Sequence, residues 1–314
     1  MHNVTLKQLR AFAAVVRTGS VTGAARELNV SAPAVTLQMQ LLQDQVGLPL
    51  VERSPAGMTA TDTGREMLGA VERIEATLAE CDAMLAGVAG AERGTVSVGV
   101  ISTSKYFAPR ALAAFARAHP GVDLRLSVGN RTQIIAGLSH YELDIAIMGR
   151  PPDEFAVDAS VLGDHPHVIV APPDHPLASQ RSIDPACLSA ETFIVREPGS
   201  GTRGLMERFF ADSGVSPRFG MQIDSNETIK QAAIAGLGIA FISAHTVDAE
   251  IADERLVVLD IRGLPVIRQW FVVRLPGRRL LPAAAVLQKF LTEQGCSFLP
   301  DYDHHKSASG RRAG

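Results

Sequence analysis

Residues Ser20–Met58, SVTGAARELNVSAPAVTLQMQLLQDQVGLPLVERSPAGM, decide how the rest of the chain is read. Ala24, Ala25 and Leu28 sit at helical spacing, and Asn29-Val30-Ser31 interrupts the pattern. A second helix restarts there, with Ser31 as N-cap and Pro33 in the first turn, where a missing N–H costs little. Val35, Met39, Leu42 and Val46 continue it as an apolar stripe spaced by four, three and four. Two short helices joined by a tight turn, the second turning small and hydrogen-bonding side chains outward, make a helix-turn-helix. Such a pair also occurs as a plain packing unit, so its flanks must decide.

Upstream, VTLKQLRAFAAVVR (4–17) reads as a helix with Leu6, Leu9, Phe12, Val15 and Val16 inward. Downstream, LPLVERSPAGMTATDTG mixes Pro, Gly and Ser with alternating Val51/Arg53 and Met58/Ala60, which predicts a two-stranded wing. Thr61 or Thr63 is placed to cap the next helix, over 63–89. In it Met67, Val71, Ile74, Leu78, Cys81, Leu85 and Val88 recur at alternating spacings of four and three. That seam predicts a dimerising coiled coil; an amphipathic helix packed on its own domain, the alternative, usually shows a broader stripe. The run GVAGAERG (87–94) reads as a hinge.

From Thr95 strands and helices alternate. TVSVGVIS (95–102), VDLRLSVG (122–129) and LDIAIMG (143–149) are strand-like, with helices at 106–120 and 133–138 between them. This βαβαβ order predicts a mostly parallel sheet covered by helices on both faces. A second such unit starts at HVIVAPP (167–173) and runs through TFIVRE (192–197), a helix over 202–213, FGMQI (219–223), a helix over 226–235, GIAFIS (238–243) and RLVVLD (255–260). The strand VIRQWFVVRL (266–275) and a helix over 283–294 return to the first unit. The fold class is therefore α/β with an all-α, winged N-terminal domain. Its expected parts are a winged helix-turn-helix over 1–62, a linker helix over 63–92 and an effector domain over 93–300. Lobe I of that domain takes 93–162 plus 266–300, and lobe II takes 163–265. The polar tail 301–314 is expected to be disordered.

Charge narrows the function classes. The 314 residues carry a net charge of −3, so the molecule is no polycation and any DNA contact must come from a local patch. Within residues 1–65, Lys7, Arg10, Arg17, Arg26, Arg53 and Arg65 oppose Glu27, Asp44, Glu52 and Asp62, a balance of +2. Arg53 falls in the wing. Cys81, Cys187 and Cys296 are far apart and in no metal-ligand spacing, which fits free thiols in a reducing cytosol. There is no signal-like N-terminus and no apolar run near membrane-spanning length, so the expectation is a cytoplasmic protein with no membrane partner.

Five segments just after strands and at helix starts could bind a ligand: Ser102-Thr103-Ser104-Lys105, Asn130-Arg131-Thr132, Gly149-Arg150, Glu197–Arg203 (EPGSGTR) and Ser225-Asn226-Glu227-Thr228. Helix N-termini offer free N–H groups and a positive dipole end, and hydroxyls and arginines add donors, a set suited to an oxygen-rich anion. Taken singly each is ordinary helix capping; it is their expected convergence on one edge that points to a ligand. PGSGTR lacks the Walker ending. Gly236-Leu-Gly238 follows a helix and precedes a strand, the reverse of a dinucleotide fingerprint, and reads as a helix C-cap. His165 and His167 lack a third ligand, and His304-His305 lies in the tail, so no metal and no cofactor are expected. No nucleophile elbow or paired-carboxylate signature calls for an enzyme; a small-molecule enzyme on two lobes is the rival reading, and it leaves the N-terminal segments idle.

These residues resemble the LysR-type transcriptional regulators. The pattern is carried by Leu9-x-x-Phe12, Gly19-Ser20, Ala24-Ala25, Leu28, Ser31-x-Pro33-Ala34-Val35-Thr36, Gly47, Leu50-x-x-Arg53 and Thr61-x-x-Gly64. It covers residues 4–299 in family order: winged helix-turn-helix, linker helix, and a two-lobed domain of the periplasmic-binding-protein (type 2) kind. Ala32 stands where many members have a base-contacting Gln, and Val51 where Phe is usual. Within the family the segments SKYFAPRALAAFARAHPGV, VREPGSGTRGLMERFF and AGLGIAFISAHT, among others, are similar to the regulators of Calvin-cycle (RuBisCO) operons.

The resemblance implies an activator that binds double-stranded promoter DNA, works with RNA polymerase, and assembles as a homodimer through 63–92 and further as a homotetramer. A regulator of the same architecture serving another pathway is the runner-up. Ser31, Ala32, Pro33, Thr36 and Gln38 would face bases or phosphates in the major groove, and Arg53 the backbone or minor groove; for Gln38 the bland alternative is a solvated helix position. The implied effector is an anionic metabolite: ribulose 1,5-bisphosphate, phosphoenolpyruvate, ATP or NADPH. Lys105, Arg150 and Arg203 are the expected phosphate partners, with Ser102, Thr103, Asn130, Thr132, Ser200, Thr202, Asn226 and Thr228 as neutral partners. For Arg150 and Arg203 a surface salt bridge is the alternative.

Overall fold

The computed structural model describes residues 4–55, 57–87, 93–276 and 280–301. Most of the expected hinge, Val88 of the seam and the tail with His304-His305 lie outside the described residues. The chain divides into two compact units, Met1–Ala83 and Met84–Gly314.

The first unit holds α1 (Leu6–Thr18), α2 (Val21–Glu27), α3 (Ala32–Val46), the hairpin β1 (Val51–Ser54) and β2 (Gly57–Ala60), and most of α4 (Asp62–Gly87). A capping box starts α1: the Thr5 hydroxyl accepts from the Gln8 N–H, and the Gln8 side chain accepts from the Thr5 N–H. Leu9, Phe12 and Val15 are buried as their spacing predicts, in one core with Ala24, Ala25, Val35, Met39 and Leu42; Leu6 instead stays exposed. Ser31 stands at the N-cap of α3 in extended conformation, as expected, although its side chain makes no capping bond. The Thr61 hydroxyl does accept from the Gly64 N–H at the start of α4. Gly57 has φ +114°, and a Cβ there would meet the Gly19 carbonyl at 2.6 Å. Only glycine lets the wing come so close to the α1–α2 turn, where the Met58 N–H donates to that same carbonyl.

The seam of α4 is divided. Val71 is fully buried and Met67 partly so, both in the core of the head, where Arg10 of α1 also pairs with Glu75 at 2.7 Å. Ile74 is exposed, and so is Cys81. The first heptad positions therefore serve the head itself, while Leu78, the next apolar seam residue after Ile74, is half-buried.

The second unit contains β3 (Gly94–Ile101), α5 (Ala108–Ala118), β4 (Val122–Gly129), α6 (Arg131–Ser139), β5 (Ile145–Met148), β6 (Asp158–Ala171), β7 (Thr192–Arg196), α7 (Gly201–Asp212), β8 (Arg218–Ile223), α8 (Asn226–Ile234), β9 (Ile239–Ser243), α9 (Asp248–Ala252), β10 (Val257–Val258), β11 (Val266–Arg274) and α10 (Pro282–Gln294). The sheet order is β4-β3-β5-β11-β6-β9-β7-β8, with β10 beside β6. Pairing is parallel among β4, β3 and β5 and again among β8, β7 and β9; β11 runs antiparallel to both β5 and β6.

The two lobes share β6 and β11, paired from Val266↔His167 to Arg274↔Asp158. Leu162 at one end of β6 and Trp270 and Val272 of β11 enter the core of lobe I, while Val168, Ile169, Val170 and Ala171 enter the two cores of lobe II. A strand starting only at His167 is thus corrected: Gly163-Asp-His-Pro166 looks like a turn but continues the strand. Pro166, with no N–H to give, lies one residue before the pairing with β9 begins. No described helix is long and apolar enough to cross a membrane.

Candidate functional site

In the first unit the outward face of α3 is set by the phase of its buried stripe. With Val35, Met39 and Leu42 inward, Pro33, Thr36, Leu37 and Gln40 are exposed. Ser31 and Arg53 are exposed too, whereas Ala32 and Gln38 are half-buried. The Thr36 hydroxyl donates to the Ala32 carbonyl at 3.1 Å, so its proton is committed to the helix. Among the described residues Lys7, Arg26 and Arg53 are exposed and in no ion pair, while Arg17 pairs with Glu27 and Arg65 with Asp62.

In the second unit four of the five ligand-binding segments meet in one cavity of about 910 Å³. Ser102, Thr103, Asn130, Thr132, Arg150, Ser200 and Thr202 line it. The lobes approach closely there: Gly199 has φ +84°, and a Cβ on it would meet the Thr132 hydroxyl at 2.9 Å. The two helix starts differ in availability. Asn130 caps α6 in a box with Gln133, so its carbonyl oxygen is already used. Ser200 makes no such bond at α7, which leaves the first N–H groups of that helix open to the cavity.

Four expected ligand residues do not line this cavity, and geometry explains each correction. Arg203 sits one residue past Thr202, about 100° around α7. It donates instead to Glu207 at 2.8 Å, Gln222 at 2.9 Å and the Arg196 carbonyl at 3.0 Å. Lys105 lies 5.2 Å over the Tyr106 ring. Thr228 is exposed, its N–H taken by the Ser225 hydroxyl. Asn226 is buried behind the wall, where it accepts from Arg196.

Arg196 is the residue that spacing did not reveal. It ends β7 with its side chain buried, lines the cavity, pairs with Glu197 at 2.7 Å and donates to the Ser102 hydroxyl at 3.2 Å. Arg131, Arg208 and Arg268 line the cavity as well, and none is in an ion pair among the described residues. Burial lowers the pKa of Arg131, whose guanidinium donates to the carbonyls of Arg150 and Pro151. The lining thus holds five arginines against two carboxylates, Glu154 and Asp164, so it favours an anion.

His165 and His167 form another part of the wall. His165 stacks on Trp270 with ring centroids 3.7 Å apart, and the Trp270 indole donates to His245 Nδ1 at 3.1 Å. Burial pushes His165 well below the usual imidazole range, His167 down to about 3 and His245 to about 4. All three are neutral near pH 7, so the positive field comes from the arginines and the open end of α7. No group of three or more ligating side chains that could hold a metal occurs among the described residues.

Residues 6–65 match the model of the bacterial regulatory helix-turn-helix protein, lysR family, and residues 89–296 match the LysR substrate binding domain. The HTH-type transcriptional regulator CbbR of Xanthobacter flavus is 52% identical over 94% of this chain and 90% of its own length. The RuBisCO operon transcriptional regulator of Allochromatium vinosum is 45% identical over 94% and 97%. Among solved structures, the CcmR regulatory domain of Synechocystis PCC6803, in complex with 2-PG, is 38% identical, with a TM-score of 0.62 over 64% of this chain and 96% of that one.

Proposed function

We propose that this chain, which belongs to the LysR family of bacterial helix-turn-helix regulators, activates carbon-fixation (RuBisCO) operons in response to an anionic metabolite bound between its lobes. The target rests on the 52% identity to a CbbR over nearly the whole chain. The ligand class rests on the arginine-lined cavity, and the CcmR domain solved with 2-PG supports a small molecule there. Arg131, Arg150, Arg196 and the open N-terminus of α7 hold the anion, with Ser102, Thr103, Thr132, Ser200 and Thr202 as neutral partners. Ribulose 1,5-bisphosphate is the first candidate; phosphoenolpyruvate, ATP and NADPH follow.

An anion binding both lobes shifts the population toward one lobe arrangement. The chain acts as a homodimer through 63–92, where Ile74 and Cys81 of the seam are exposed, and as a tetramer on DNA, where the change alters bending and contact with RNA polymerase. In the head, Ser31, Pro33, Thr36 and Gln38 approach the major groove, Ala32 leaves the base at its position without a hydrogen bond, and Arg53 neutralises a phosphate.

A DNase footprint on a RuBisCO-operon promoter, without effector and with each of the four metabolites in turn, tests both halves. The expected result is a long protected region whose hypersensitive sites change with the sugar phosphate. Protection that ignores all four metabolites refutes the effector, and no protection at modest salt refutes the target.

A further inference from the structure

We propose that Leu37 reads the C5-methyl group of a thymine in the major groove, so that operator recognition by α3 includes a methyl contact beside any hydrogen bonds from its glutamines. The inference rests on the DNA-binding function proposed above and names the chemistry of that reading. Leu37 is 52% exposed and Leu41, one turn on, 39%. With Pro33 one turn earlier they make an apolar ridge at i, i+4 spacing along the face that points away from the head's core. Nothing in the head covers this ridge, and it is continuous with the exposed Thr36 and Gln40 on the face proposed above to approach DNA.

The alternatives for base reading on α3 are few. The helix carries no Lys or Arg, so it cannot make the cationic two-point contact to guanine. The Thr36 proton is committed to Ala32, the Gln43 side chain accepts from the Leu50 N–H, and position 32 offers only a methyl group, which leaves the half-buried Gln38 and the exposed Gln40 as the hydrogen-bonding side chains beside the ridge. At the tip of the ridge stands an aliphatic side chain, whose complement in the groove is the thymine methyl.

The experiment compares the RuBisCO-operon promoter fragment made with dTTP and the same fragment made with dUTP, which differ only in that methyl. Wild-type protein and the exposed-site variant Leu37→Ala are titrated on both. Wild type is expected to bind the uracil fragment more weakly, by about fourfold for each methyl that Leu37 buries. Leu37→Ala should lose a similar factor on thymine DNA and lose no more on uracil DNA; methyl-dependent changes in DNA shape act on both proteins alike and cancel. Equal binding of the two fragments by wild type, or the same methyl dependence in Leu37→Ala, overturns the inference while leaving the regulator intact. A ridge that docks another protein would give that first outcome. No binding of wild type to the thymine fragment would instead remove the proposed target, and this inference with it.

Discussion

The helix proposed to face DNA and the cavity wall proposed to hold a metabolite would both meet anions, yet they are built oppositely. Fifteen residues of α3 contain no cation and one acid, Asp44, while the cavity is lined by five arginines. The head's unpaired cations, Lys7, Arg26 and Arg53, all lie off the reading helix. The contrast follows the shape of each ligand. Phosphates of a duplex are spread along a rod, so scattered exposed cations suffice and the reading surface can be neutral and small. A small metabolite concentrates its charge, and a compact site must converge several guanidiniums and helix-terminal N–H groups on it, partly out of water.

Acid is the harshest test of that contrast. The cavity wall buries His165 and His167 beside His245, all with folded pKa values below the ordinary 6.5. Above that pH they cost nothing. As pH falls below 6.5 the unfolded chain binds protons that the folded one refuses, and stability drops by about 1.4 kcal/mol per pH unit per histidine until their folded values are reached. Residues 4–83 contain no histidine. Hydrogen exchange on the full chain at pH 7 and pH 5 should therefore show much faster opening of β6, β9 and β11, with α1–α3 little changed. Equal acceleration in both units would mean that the buried imidazoles do not set the acid response.

Removing one arginine from each region sharpens the comparison. Arg196→Met deletes a buried cation and leaves Glu197, Asn226 and Ser102 without it. The expected cost is about 3–5 kcal/mol in denaturant unfolding, together with loss of the effector response. Arg53→Ala removes an exposed, unpaired cation and should change stability by less than about 0.5 kcal/mol, while lowering DNA affinity and its salt dependence. Similar costs for the two variants would erase the distinction between a preorganised anion site and a scattered one.

Local pattern made the head legible and the cavity only half so. The stripe Val35, Met39, Leu42 belongs to one helix, so periodicity alone orients α3 and exposes Thr36 and Leu37. Thr103, Thr132, Ser200 and Thr202 were legible because strand ends and helix starts gather on one edge of an α/β sheet. Arg196 was not, because in TFIVRE it reads as the last residue of a buried strand, and its partners are 94 and 30 residues away. Arg208 and Arg268 reach the cavity from mid-helix and from a crossing strand, where no end signal marks them. The seam of α4 was only partly legible for a related reason: a strict heptad pattern is blind to which partner covers it, and Val71 is covered by the head.

Arg203 gives the smallest expected effect and the finest discrimination. It neighbours Thr202, which lines the cavity, yet helix phase sends its guanidinium to Glu207 and Gln222, where the ion pair is partly solvated. An exposed pair of this kind contributes less than about 1 kcal/mol. Calorimetric titration of Arg203→Ala with ribulose 1,5-bisphosphate should give an affinity within about twofold of the unmodified chain, because a 1 kcal/mol structural loss shared by free and bound protein leaves binding nearly unchanged. A response abolished by this substitution, with the fold intact, would place the guanidinium on the ligand after all. It would mean that α7 turns when the anion binds, and that the open N-terminus at Ser200 is a feature of one lobe arrangement rather than of the site itself.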